Sequence, residues 1–167
     1  MSRFLPLSMF LLLAVLMAFS LLRGGNPAVL DSALLEKPMP QASIPGLSLD
    51  KMQEGIILVN FFASWCLSCQ VEQKVLERIR TQEDLRLYGI AYKDKAEDTK
   101  NWLDKHGNPF DAIGHDAEGR IGLDWGVYGV PETYVLSGGI IRYRHVGPVT
   151  EEVYRDILIP LLQRLRT

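Results

Sequence analysis

The stretch Ile56-Ile57-Leu58-Val59-Asn60-Phe61-Phe62-Ala63-Ser64-Trp65-Cys66-Leu67-Ser68-Cys69 decides the fold. Its first eight residues are a short, almost continuous apolar run with β-branched and aromatic side chains, the pattern of a strand buried on both faces. Beyond it, from 67 to 80, the apolar residues Val71, Val75, Leu76 and Ile79 recur at helical spacing, with Glu72, Lys74, Glu77, Arg78 and Arg80 largely on other faces. A central strand therefore runs into a helix that opens at a Cys-x-x-Cys pair. The chain has only these two cysteines, too few for a disulfide-rich scaffold. Their spacing suits redox chemistry or half of a metal site.

Downstream, 85–92 predicts a second strand and 94–106 a helix ended by Gly107 and the Asn108-Pro109 turn. An acidic, glycine-containing turn at 116–119 and a short helical piece near 121–125 lead to two strands, 133–136 and 140–146, joined at Gly138-Gly139 as a tight hairpin. Thr150 is a helix N-cap candidate, and Glu151 and Glu152 suit the positive end of the dipole. Val153, Ile157, Leu161 and Leu165 form one apolar stripe on a helix that Pro160 should kink. Upstream, 36–40 and 44–47 are too rich in proline for a helix and read as extended edge structure.

The amino-terminal run 4–22 is interrupted only by Pro6, Ser8 and Ser20 and is flanked by Arg3 and Arg23. As a helix it reaches about 28 Å, close to the ~30 Å hydrocarbon core. The expected organisation is a signal anchor at 1–23, a linker at 24–33 and one folded domain at 34–167. A cleaved signal peptide, processed at the small residues around Ala18-Phe19-Ser20, is the alternative. Either segment directs the rest of the chain across a membrane. The composition, 47% hydrophobic and 23% charged, is that of a globular protein. Without Arg3 and Arg23, 16 basic residues face 20 acidic ones, about −4, and no basic stripe marks a nucleic-acid partner.

The element order, with Val130-Pro131 just before the hairpin, resembles the thioredoxin fold: an α/β domain whose central mixed sheet is flanked by helices, here preceded by a membrane helix. A thiolate is the nucleophile of disulfide exchange, and a helix amino terminus stabilises its charge, so Cys66 is the expected nucleophile. Cys69, one turn on, resolves the mixed disulfide. Zinc is the weaker reading, because no second Cys-x-x-Cys exists and His106, His115 and His145 lack finger-like spacing. A structural disulfide closing so short a loop would stabilise little. In thioredoxin-like proteins the proline corresponding to Pro131 is cis and faces the cysteines, leaving the backbone of the preceding residue, here Val130, free to pair with an extended substrate.

A closer resemblance rests on Trp65-Cys66-Leu67-Ser68-Cys69, Tyr88-Gly89-Ile90-Ala91-Tyr92-Lys93-Asp94, Gly107-Asn108-Pro109-Phe110, Gly126-Val127-Tyr128-Gly129-Val130-Pro131-Glu132-Thr133 and Gly139-Ile140-Ile141-Arg142-Tyr143-Arg144-His145. Over about 34–165 the chain is similar to the CcmG/DsbE family, membrane-anchored thioredoxin-like proteins of cytochrome c maturation. The resemblance implies a periplasmic dithiol reductant on the inner membrane with no cofactor beyond a redox-active Cys66–Cys69 disulfide and no metal. It implies recharging by a DsbD-type membrane reductase. The implied partners are apocytochrome c, whose CxxCH cysteines are kept reduced for haem attachment, or a maturation thiol protein. Two departures matter. Leu67-Ser68 replaces the family's proline-containing dipeptide, and Asn60 stands where thioredoxin has a buried Asp that accepts the resolving thiol's proton. Glu72 and Glu132, acids at positions where the family has acids, are candidates for that relay or for tuning Cys66. Trp65, Tyr128 and Val130 are candidates for the substrate-facing surface. His106 and His115 read as surface residues and His145 as structural. The same Cys-x-x-Cys also supports a general periplasmic oxidant or a peroxide-linked thiol enzyme. A thioredoxin-like copper chaperone is disfavoured by the CxxC spacing.

Overall fold

The computed structural model describes residues 5–22 and 33–167, with side chains described at 8–20 and from 33 onward. Leu5–Leu22 is a helix (α1), and its described side chains are all exposed. Among the described residues no helix is long and apolar enough to cross a membrane. The stretch 8–20 alone spans about 20 Å, against the ~30 Å hydrocarbon core. The crossing segment expected at 4–22 extends beyond those residues at both ends, and most of the expected linker, 24–32, lies outside the described residues.

Five strands follow: β1 (Ile56–Phe62), β2 (Arg86–Tyr92), β3 (Ala112–Asp116), β4 (Glu132–Ser137) and β5 (Ile140–Val146). Their order is β3-β2-β1-β4-β5, with β1, β2 and β3 parallel and β4 and β5 antiparallel to their neighbours. The central strand is β1, buried from Ile57 to Phe62, which explains its apolar run without alternation. Leu58 and Phe62 point to one face with Leu87, Ala91 and Val135; Ile57, Val59 and Phe61 point to the other with Tyr88, Ile90 and Tyr134. The first face is covered by α2 (Leu67–Glu83), α3 (Ala96–His106) and the C-terminal helical segment. The second is covered by α4 (Arg120–Trp125) and by a strap before β1 that buries Met39, Ile44 and Met52.

The strap runs across the whole sheet. Its start pairs with β5 through Glu36 N–H to Ile141 O, Ile141 N–H to Lys37 O and Met39 N–H to Gly139 O, at 2.8–3.0 Å. Its far end reaches β3, where His115 N–H donates to Pro45 O at 2.9 Å. There Gly114 is required by close approach, since a Cβ would sit 2.4 Å from the Ile44 side chain. The sequence gives no sign of β3. Ala112-Ile113-Gly114-His115-Asp116 lacks an apolar run because it is an edge strand whose glycine makes room for the strap, and His115, expected at the surface, lies on it half-buried.

Two helical expectations shift. Val71 is 65% exposed, because the buried face of α2 carries Cys69, Glu72, Leu76 and Ile79, and a residue two past Cys69 lies roughly 200° round the helix. At the C-terminus Thr150 caps as expected, its hydroxyl accepting from Val153 N–H. The helix then passes from α5 (Glu151–Val153) through a wide π turn, Tyr154–Leu158, into α6 (Ile159–Arg166). Pro160 sits in the first turn of α6. It has no N–H for the preceding turn, and the chain widens ahead of it instead of kinking at it. The deeply buried stripe is Tyr154, Leu158 and Leu162, one residue on from the expected one. The Tyr154 hydroxyl fixes that rotation by donating to Glu83 Oε1 at 2.8 Å.

Candidate active site

The site lies at the C-terminal end of β1, where the chain turns into α2. Cys66 is the N-cap of that helix, with extended backbone, and Cys69 N–H points at Cys66 Sγ from 3.1 Å. The two residues are joined as a disulfide, Cα to Cα 5.3 Å. Cys66 is 5% exposed and Cys69 fully buried, so only Cys66 is open to a sulfur from another protein. A thiolate on Cys66 gains the first-turn N–H groups and the positive end of the dipole. Ser68 Oγ adds a third partner 3.3 Å from Cys66 Sγ, and Val130 O lies 3.5 Å from the same sulfur.

An open concavity of about 570 Å³ surrounds this sulfur, lined by Trp65, Cys66, Leu67, Ser68, Val71 and Val130. None of these carries a charge, so the walls themselves offer the Cys66 thiolate only dipoles. A hydrogen bond to a charged group is worth about 1.5–3 kcal/mol, and Ser68 is partly exposed, placing it at the low end. Ser68→Ala should therefore destabilise the Cys66 thiolate and slow its alkylation at neutral pH several-fold, with Ser68→Thr close to wild type. A rate–pH profile with iodoacetamide reads this directly, and an unchanged profile in the alanine variant refutes it.

Buried polar residues hold the rim. Asp94, just ahead of α3, accepts from Ser64 N–H at 2.7 Å, Ser64 Oγ at 2.9 Å and Thr99 Oγ1 at 3.0 Å, pinning the turn that carries Trp65 and Cys66. The Trp65 indole donates to Lys93 O at 3.1 Å, which leaves its ring 60% exposed beside the disulfide. On the other side the Val130–Pro131 peptide is cis. Glu132 is fully buried. Its Oε1 accepts from Tyr128 N–H at 2.8 Å and Gly129 N–H at 3.3 Å, and its Oε2 meets Arg144 Nε at 2.8 Å and Nη2 at 2.7 Å. Arg144 also donates to Gly126 O at 2.9 Å and lies 4.7 Å from the centre of the Tyr128 ring, which is 74% exposed.

Glu72, one turn beyond Cys69, is buried instead of solvating a helix face. Its Oε1 accepts from Asn60 Nδ2 and its Oε2 from Val149 N–H, both at 2.9 Å. Burial pushes the Glu72 carboxyl up to about 7, against the opposing pull of those two donors. Asn60 Nδ2 also donates to Thr133 Oγ1 at 3.0 Å, tying α2, β1 and β4 together beneath the dithiol. His145, paired with Thr133 across β4 and β5, is buried and held below its ordinary value by loss of solvent.

The structure thus gathers Trp65, Cys66 and Val130 around one opening, with Pro131 beside it and Cys69 buried behind Cys66. Tyr128 and Glu132 stand on one flank and Glu72 behind Cys69 on the opposite face of the sheet. Asp94, Arg144 and Thr133 were not anticipated. Asp94 had a visible signal, an acid at the first position of a predicted helix. Arg144 is legible only through register, which sets it in the row beside Glu132. His106 lies beside Trp102, the rings tilted at 45° with centres 5.4 Å apart. Among the described residues no group of three His, Cys, Asp or Glu is placed to hold a metal ion.

A five-stranded mixed sheet, a helix opening at Cys66 and a second cysteine buried behind it define a thioredoxin-like thiol–disulfide oxidoreductase. The AhpC/TSA family model matches residues 36–144. The thiol:disulfide interchange protein DsbE of Pasteurella multocida is 40% identical over 174 residues, covering 97% of this chain and 95% of its own length. That of Yersinia pestis is 38% identical over 173 residues, covering 96% and 92%. The chain belongs to the DsbE family of thiol:disulfide interchange proteins, as its motifs imply. Among solved structures, the thioredoxin domain of a Bacteroides vulgatus thiol-disulfide oxidoreductase has a TM-score of 0.65 at 16% identity, covering 77% of this chain and 98% of its own. A secreted Mycobacterium tuberculosis disulfide oxidoreductase has 0.62 at 18%, covering 74% and 96%. At that distance both speak for the fold.

Proposed function

We propose that this protein is a specific periplasmic dithiol reductant of cytochrome c maturation, held in the inner membrane by 4–22 with its catalytic domain on the periplasmic side. Its substrate is the oxidised CxxCH pair of apocytochrome c or a partner thiol protein, and a DsbD-type membrane reductase restores its own dithiol. The observation that carries the exchange chemistry is the asymmetry of the pair: Cys66 reaches the surface between Trp65, Leu67 and Val130 while Cys69 stays buried behind it. The family relationship supports the direction of electron flow, and the apolar run 4–22 between Arg3 and Arg23 supports the anchor. An intact amino terminus in membrane fractions is expected by mass spectrometry; a mature start near residue 21 would remove the anchor.

In the forward step the Cys66 thiolate attacks one sulfur of the substrate disulfide, forming a mixed disulfide and releasing the other sulfur as a thiolate. Cys69 then gives up its proton and attacks Cys66 Sγ. The second substrate sulfur leaves, two electrons have passed to the substrate, and the chain is left with the Cys66–Cys69 disulfide. Glu72, one turn from Cys69 and with a carboxyl near neutrality, is the acceptor for that proton. Glu132, bonded to Arg144 on the other face, positions the 128–130 turn. Pro131 and the Val130 main chain present a backbone edge to an extended substrate, with Trp65 and Tyr128 covering its flanks.

Cys69→Ser removes the resolving thiol and stalls exchange at the mixed disulfide. Expressed in the native membrane, it should hold an apocytochrome c or one maturation thiol protein on Cys66, with the membrane reductase as the second adduct. A broad set of unrelated secreted proteins would replace this reading with that of a general thiol oxidoreductase.

A further inference from the structure

We propose that Asn60 is a positioning residue for the proton carried by Glu72: its side-chain amide donates to the ionised carboxylate and, turned over, accepts from the neutral carboxyl. The inference rests on the role given to Glu72 above and concerns what lets a buried carboxyl exist in two protonation states.

In the observed arrangement both hydrogens of Asn60 Nδ2 are used, one on Glu72 Oε1 at 2.9 Å and one on Thr133 Oγ1 at 3.0 Å. Val149 N–H holds Glu72 Oε2 at 2.9 Å. All three side chains are buried to within 1%. This set fits a carboxylate, which only accepts. A proton added to Glu72 belongs on Oε1, because Oε2 faces the fixed backbone donor, and there it would confront the Asn60 NH₂ donor to donor. A half-turn of the amide puts Oδ1 in the place of Nδ2. Oδ1 then accepts from the new Glu72 O–H, and the Thr133 hydroxyl, free to rotate, becomes a donor to it. Both states keep the same three contacts.

A second observation points the same way. Asn60 Oδ1 is buried without a partner, an exception among buried polar atoms that calls for a reason. A side chain kept only to bridge β1, β4 and α2 would serve best with both ends satisfied. An amide that exchanges ends must leave the outer end unpaired in either state. The two orientations differ in what is left unpaired, one acceptor when Glu72 is ionised and an NH₂ when it is neutral, so the amide favours ionisation and opposes the burial that favours the proton. An aspartate at this position would accept only, forcing two carboxylates to share one proton.

The other groups around Glu72 are few. Cys69 precedes it on α2 and is in the disulfide; Thr133 and Val149 do not titrate; His145 lies across the strand pair from Thr133. Glu132 and Arg144 face the opposite side and are paired with each other.

The test is an NMR titration of the oxidised full-length chain in detergent micelles, following the Asn60 side-chain NH₂ resonances, the Glu72 side-chain carbonyl carbon and the His145 ring. The Asn60 resonances should titrate with the Glu72 midpoint, separately from His145, and become pH-invariant in Glu72→Gln. Asn60→Asp should raise the Glu72 midpoint by about one unit, a tenfold tighter hold on the proton. Asn60 resonances that stay fixed while Glu72 titrates would overturn the proposal, as would an unmoved midpoint in Asn60→Asp. The readout involves no turnover, so it separates from the relay reading. That reading fails instead if Glu72→Gln leaves the pH profile of thiol alkylation unchanged.

Discussion

Replacing Glu72 by Gln should abolish a fall in stability that the wild-type oxidised protein shows between pH 4.5 and pH 7. The folded-state carboxyl is raised from 4.5 to about 7, so between these values the native state holds a proton that the unfolded chain has released. Stability then decreases with rising pH, because the native state binds more protons than the unfolded one. The contribution is fully present below 4.5, lost as pH climbs to 7, and flat above. At about 1.4 kcal/mol per unit the swing is on the order of 3 kcal/mol. Glutamine keeps a carbonyl for Val149 N–H and an amide for Asn60, and carries no proton to lose. Urea unfolding from pH 4.5 to 8.5 should give a wild-type curve that falls relative to that of the variant, because His145, held low by burial, adds the same opposite trend to both. Parallel curves would mean that Glu72 titrates in its ordinary range and is no proton carrier.

Removing Arg144 should cost the most. Arg144→Met leaves the Glu132 carboxylate fully buried with its charge uncompensated, and breaking a buried pair in this way typically costs 3–5 kcal/mol. Glu132→Gln should cost less, because its remaining oxygen still accepts from Tyr128 and Gly129 N–H and Arg144 keeps Gly126 O. The double variant should lose less than the sum of the two, since neither partner is then stranded. Chemical unfolding of the four proteins gives the cycle. A loss below about 1 kcal/mol for Arg144→Met, or strict additivity, would show the pair to be incidental. The Tyr128–Val130 rim should loosen in Arg144→Met, weakening capture of protein substrates while alkylation of Cys66 by a small reagent stays near wild type.

The reaction centre was legible in the sequence because its physics is local. A strand buried on both faces needs an uninterrupted apolar run, and a thiol at a helix start needs only its neighbours in the chain. What escaped depends on distant parts of the chain. β3 has no pattern of its own, since the strap supplies the apolar cover that allows Gly114 there. Val71 reads as core by spacing, yet a rotation of about 200° from Cys69 turns it outward to join the surface around the disulfide. The C-terminal stripe slipped by one residue because a tyrosine hydroxyl and a proline lacking an N–H set the turn of that helix. Asn60 was visible as a departure from thioredoxin. Its meaning came from Thr133 and Glu72, residues brought to it by two other elements.

Both sulfurs are packing atoms, Cys69 fully and Cys66 nearly buried among the side chains that hold α2 to the sheet. Oxidation state and folding therefore form a thermodynamic cycle. The difference in unfolding free energy between the disulfide and dithiol forms must equal the difference in redox free energy between the folded and unfolded chains, with each 30 mV equivalent to about 1.4 kcal/mol. Two denaturation curves, one for each form, thus measure how strongly the fold drives the protein toward donating or keeping its electrons.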